Sequence, residues 1–183
     1  MEDKSLKTIQ KLAKAGNILS KIAFIFGIIG AASCAIGMIA LALGMTQVMT
    51  FGEISIHGMI KESTGISIGS MYASMAVGMV YCAGEIFVAK MAERYFKHEL
   101  ADGTPFTYQG ADELKRLGIV AICTPIVTSV AAAFIYMMLN LYFQDLEEMT
   151  NEGYGTIGFG IAFLVISVLC RYGAQMRENE RNY

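Results

Sequence analysis

Charge is scarce in this 183-residue chain: 16% of its residues are Asp, Glu, Lys or Arg, against roughly 25% in an ordinary soluble domain, and 55% are hydrophobic. So few charged groups cannot cover a water-facing surface, which excludes a soluble globular domain. Histidine occurs twice, at His57 and His98, in different polar segments, and no nucleophile stands near a base at helical spacing. An enzyme is therefore not expected. Cys34, Cys82, Cys123 and Cys170 all fall inside apolar runs with no CxxC or Cys/His spacing, which argues against a disulfide framework, a zinc site or any other cofactor.

What the chain has in quantity is long apolar sequence. Runs at 22–46, 64–92, 117–143 and 153–170 predict four transmembrane helices within a single membrane domain. At 1.5 Å per residue the first covers about 37 Å and the fourth about 27 Å, against a hydrocarbon core of about 30 Å. In the first run Gly30, Gly37 and Gly44 recur every seven residues, with Gly27 and Cys34 on the same stripe. Small side chains on one face let a neighbouring backbone approach closely, so the stripe is a helix-packing face. Gly65, Gly69 and Ala73, and Ser70, Ser74, Gly78 and Cys82, form two similar rows in the second run.

Residues 1–21 carry Lys4, Lys7, Lys11, Lys14 and Lys21 with Leu6, Ile9, Leu12 and Ala13 between them, the pattern of a short amphipathic helix lying on an anionic membrane surface. The apolar run that follows is too long for a signal peptide and lacks its small-residue cleavage pattern.

Isolated polar residues interrupt the runs. Glu85 lies in the second, about one turn before Lys90, and an intramembrane acid is by default a functional-site hypothesis, here with Arg171 as its candidate partner. Thr124-Pro125 is expected to kink the third helix, with Thr128 close by and Asn140 near its end. Glu85, Arg171, Thr124, Pro125, Thr128 and Asn140 together make a candidate intramembrane polar site, the basis of a transport or solute-binding reading. The acidic connection holding Asp145, Glu147, Glu148 and Glu152 lacks the glycine and ligand order of a calcium loop and reads as a solvated turn.

Segment 93–116 is predicted to be an ordered helical elbow between the second and third membrane helices. Asp102-Gly103 is a helix stop with Pro105 just beyond, and Thr107 is an N-cap for the helix that continues into the third run. Asp102, Gly103, Pro105, Phe106 and Thr107 are its candidate interaction residues. Basic residues set the orientation. Among the 14 lysines and arginines, Lys61 alone lies outside the amino terminus, the segment from Lys90 to Arg116 that contains the elbow, and the 171–183 tail, which places both termini and the elbow in the cytoplasm.

The residues of the elbow and tail carry a resemblance. Tyr95-Phe96, Asp102-Gly103-Thr104-Pro105-Phe106-Thr107, Leu114-Lys115-Arg116-Leu117-Gly118 and Tyr172-Gly173-Ala174-Gln175-Met176-Arg177-Glu178-Asn179 resemble the bacterial membrane-protein family catalogued as a domain of unknown function, numbered 2975. One departure is Gly110, where that family usually has an acidic or amide side chain. The resemblance implies a bacterial inner-membrane protein, often encoded beside a small helix-turn-helix regulator, and implies no established activity. The expected fold is all-α: an integral membrane four-helix bundle with both termini cytoplasmic and an extended helical elbow between the second and third helices. The expected role is a non-enzymatic interaction or regulatory protein in the lipid bilayer, whose partner is a cytoplasmic helix-turn-helix regulator or another membrane protein, with no direct nucleic-acid binding. The alternative is small-solute or ion transport near Glu85 and the Thr124-Pro125 kink.

Overall fold

The computed structural model describes residues 2–43, 50–51, 54–55, 68–143 and 155–181. Among them are four helices, α1 (Glu2–Ala42), α2 (Ile68–Asp102), α3 (Tyr108–Asn140) and α4 (Gly155–Arg181), and two short strands between α1 and α2, β1 (Thr50–Phe51) and β2 (Ile54–Ser55). The strands pair antiparallel, Thr50 opposite Ser55 and Phe51 opposite Ile54, a small departure from an otherwise all-helical chain. Gly44, Glu53, His57, Lys61, the run boundaries at 46, 64 and 153 and the acidic 144–152 connection lie outside the described residues.

All four helices are long and apolar enough to cross a membrane. With 41, 35, 33 and 27 residues, they are about 61, 52, 50 and 40 Å long, so each exceeds the hydrocarbon thickness. The separate amphipathic helix expected over 1–21 is not present, because α1 runs unbroken from Glu2 to Ala42. No proline interrupts this stretch, and Gly16, the weakest helix former among residues 2–21, supplies a tertiary contact instead. A Cβ at Gly16 would stand 2.5 Å from the Phe96 ring. The tail is likewise helical to Arg181 as a continuation of α4. In α3 the helix persists through Pro125.

Side-chain burial is inverted relative to a water-soluble protein. Buried hydrophobic positions are mostly small: Ala13, Ala73, Ala89, Ala111, Ala121, Ala132 and Ala174. Ile25, Ile36, Val130, Phe134, Val165 and Val168 are more than half exposed. Small residues inside and branched or aromatic ones outside are what lipid as outer solvent favours, since apolar groups gain nothing there by hiding and close backbone packing holds the helices together. The helices are thus those of a multi-pass membrane protein in contact with the bilayer.

The chain forms two compact units; α1, α2 and α3 contribute to both, and α4 belongs to the first alone. The first comprises Met1–Phe26, Gly84–Val127 and Glu152–Tyr183; the second comprises Gly27–Ala83 and Thr128–Asn151. In the second unit Gly30 of α1 meets Cys82 of α2, while Cys34 meets Gly78. These reciprocal small-residue contacts, four residues apart on each helix, set the two segments antiparallel. Gly69 meets Phe143, whose ring stacks on Tyr72 with centroids 6.4 Å apart.

The first unit has a core of Tyr95, Ala111, Leu114, Leu117 and Cys170, packed against Val88, Met91, Ala92, Phe96 and Phe163. Leu117, 1% exposed, is its most enclosed large side chain. Here α3 and α4 are antiparallel and nearly touch at Gly118 and Gly160, where a Cβ on either would lie about 3 Å from the other's carbonyl oxygen. Gly118 stands at the beginning of the 117–143 run and Gly160 near the middle of the 153–170 run, so the runs are staggered. Residues 161–173 of α4 pass beside the 106–107 end of the turn and the first turns of α3, and Phe106 meets Gly173 at the far end.

Candidate interaction surface

The turn at 103–107 is built by three local devices. Gly103 has φ +71°, the left-handed conformation that glycine takes at a helix C-terminus, and its N–H donates to the Glu99 carbonyl at 3.0 Å. Thr104 Oγ1 accepts from the Phe106 N–H at 3.2 Å, fixing the chain two residues on. Thr107 Oγ1 accepts from the Gly110 N–H at 3.0 Å, capping α3. Gly110 fits this cap closely: a Cβ there would be 2.9 Å from Thr107 Oγ1. The reciprocal side chain of a capping box is absent, and a lone threonine cap starts the helix.

Two long-range contacts tie the turn to other helices. Gln10 Nε2 of α1 donates to the Gly103 carbonyl at 3.4 Å. His98 Nδ1, in the last turns of α2, pairs with both oxygens of Glu113 in α3, at 2.7 and 2.9 Å. His98 thus belongs to a helix and bridges the two arms of the turn; it has no role in the sequence reading. Its signal was the near-symmetric placement of His98 and Glu113 about Gly103 to Thr107, which becomes legible once a tight turn is assumed.

Tail and turn come together. Gly173 receives the Phe106 ring, Tyr108 is hydrogen-bonded to Glu178, and Asp102, Thr104, Phe106, Thr107, Tyr108, Ala174, Arg177 and Glu178 line an open groove of about 630 Å³. The bond to Glu178 raises the Tyr108 hydroxyl pKa above its usual range. The groove offers an aromatic side, carboxylates from Asp102 and Glu178, and a guanidinium from Arg177. Of the turn residues singled out from sequence, Asp102, Phe106 and Thr107 line it. Gly103 and Pro105 shape the turn without lining it.

At the end of the predicted second span, α2 holds a second polar cluster. Glu93, 6% exposed, accepts from Lys90 at 3.0 Å and Lys97 at 2.8 Å. The two lysines hold its carboxyl down to about 2. Lys90 Nζ also lies 4.9 Å from the centre of the Phe24 ring on α1. Further along, burial raises the Glu99 carboxyl, which is hydrogen-bonded to Tyr95.

The candidate intramembrane site is not assembled in this way. Glu85 and Arg171 are both exposed, and among the described residues no ion pair joins them. Thr124 and Pro125 are half-buried with partners of their own, Thr128 is buried and also partnered, and Asn140 is exposed. These residues are divided between the two units: Glu85, Thr124, Pro125 and Arg171 lie in the first, Thr128 and Asn140 in the second. Gly30 and Gly37 are turned away from the surface, half-buried and buried respectively. Among the described residues no His, Cys, Asp or Glu cluster has the makings of a metal site. Comparison with known proteins finds no matching family model, curated protein or solved structure.

Proposed function

We propose that the chain is a non-enzymatic interaction or regulatory protein of the bacterial inner membrane, with both termini and the 93–116 segment in the cytoplasm, and that the groove beside the 103–107 turn receives a protein partner. The observation that carries this reading is the groove itself. Two segments distant in sequence, 102–108 and 174–178, are brought to one open surface by a glycine contact and a hydrogen bond. The orientation rests on the concentration of lysine and arginine in the amino terminus, the 93–116 segment and the tail. The family resemblance in those same residues favours a small helix-turn-helix regulator as the partner, with another membrane protein as the alternative.

The test is affinity capture from solubilised membranes with wild type, Pro105→Ala, Phe106→Ala and Arg177→Glu. A specific protein retained by wild type and lost with Phe106→Ala and Arg177→Glu supports the groove as its docking surface. Identical captured sets in all variants, or none in wild type, overturn it.

A further inference from the structure

Lys11, Lys14 and Lys21 of α1 differ from the lysines of α2 in what answers their charge. Lys90 and Lys97 share Glu93. Lys11, Lys14 and Lys21 are exposed and have no hydrogen-bond or ion-pair partner among the described residues. The opposite side of α1 is packed inward, with Ala13 and Ser20 buried.

At 100° per residue, Lys11, Lys14 and Lys21 fall on one stripe roughly 100° wide, and Ile18, Ile22 and Ile25 lie on that same stripe. The isoleucines are 52%, 44% and 55% exposed. One outward face of a continuous helix therefore changes from cationic to apolar near Lys21. Whatever covers it must supply anionic groups at one level and hydrocarbon at the next. A soluble anion or an acidic peptide answers the lysines and leaves the isoleucines uncovered. An anionic phospholipid supplies both in one molecule, phosphate to the ammonium groups and acyl chain to the isoleucines.

We infer that this stripe is a binding face for anionic phospholipid. The inference rests on the membrane reading of the helices and is independent of the proposed groove partner. The geometry sets a gradient. Lys21 borders the apolar stretch, Lys14 stands about 10 Å further out along the axis, and Lys7 about 21 Å. Attraction to a charged leaflet decays within a Debye length of about 8 Å at physiological salt. Lys21 and Lys14, whose long stems reach toward the interface, dominate, and Lys7 contributes little.

The experiment uses the full chain in phosphatidylcholine vesicles containing a minor fraction of phosphatidylglycerol. Spin-labelled lipids of each headgroup report which species is held at the protein surface. Wild type is expected to favour phosphatidylglycerol by about fivefold per engaged lysine at low salt, declining in high salt. Lys14→Gln/Lys21→Gln loses that preference, Lys14→Arg/Lys21→Arg keeps it, and Lys7→Gln stays near wild type. Equal association of both lipids with wild type, an unchanged preference in the double glutamine variant, or a loss in the arginine variant overturns the inference while leaving the membrane reading intact. Failure of wild type to enter the bilayer overturns both.

Discussion

Phe106 lies so close to Gly173 that a Cβ at position 173 would stand 2.6 Å from its ring. The contact links the 103–107 turn to α4, and Phe106 also lines the groove. Gly173→Ala should displace the ring and lower stability by about 1–3 kcal/mol, the usual cost of overpacking. In a Phe106→Ala background the same substitution should cost little, because the two residues are coupled. Thermal unfolding of the four proteins in detergent checks the cycle; additive losses would show that the contact is not the cause.

Gly160 and Gly158 make a matched comparison two residues apart. A methyl at Gly160 would meet Ile122 Cγ1 at 2.5 Å and the Gly118 carbonyl at 2.9 Å, whereas at Gly158 nothing lies within 4 Å. Gly160→Ala should therefore force α3 and α4 apart and destabilise by about 1–3 kcal/mol. Gly158→Ala should be neutral or stabilise by up to about 1 kcal/mol, since alanine is the better helix former. Unfolding midpoints of the two variants decide the matter, and equal midpoints would deny the close approach at 160.

Removing the cap of α3 has a smaller, defined effect. Thr107→Ala leaves the Gly110 N–H without its acceptor and should cost about 1 kcal/mol, with Thr107→Ser close to wild type. Hydrogen exchange at residues 108–111 is the direct measurement, and faster exchange in the alanine variant alone is the expected result.

Glu93 sets a pH window. Its carboxyl is held at about 2, below the ordinary 4.5, by Lys97 and Lys90. A depressed carboxylate contributes stability that is fully present above the unfolded-state value and is lost as pH falls through the folded one. Wild type should thus lose stability between pH 4.5 and 2 in excess of Glu93→Gln, whose profile over that interval should be flatter. Parallel melting curves would remove Glu93 from the acid response.

Much of the helix plan is legible in the chain alone. Absence of charge over 22–46 and 117–143 marks helices long enough to span, because the cost of burying charge in hydrocarbon is set by composition and needs no knowledge of neighbours. Gly103 and Thr107 mark the stop and start of helices because the devices are local: a left-handed residue and a side-chain oxygen three residues from its donor. The break expected near residue 21 rested on a change of composition, and composition does not break a helix. With no proline in 2–42, backbone hydrogen bonding continues through the change from lysine-rich to isoleucine-rich sequence.

Tertiary structure decided which surfaces face one another. Nothing local distinguishes Gly160, locked against Gly118, from Gly158, open on every side, or tells that Glu85 and Arg171 stand exposed and unjoined while His98 reaches Glu113. Those outcomes depend on the register and rotation of one helix against another, set by close contacts between residues far apart in sequence. The sequence by itself determined where the chain is helical and what solvent its surface suits, because backbone propensity and transfer free energy belong to single residues and their near neighbours. Only the tertiary structure brought 102–108 and 174–178 to one groove, because a groove is a property of pairs.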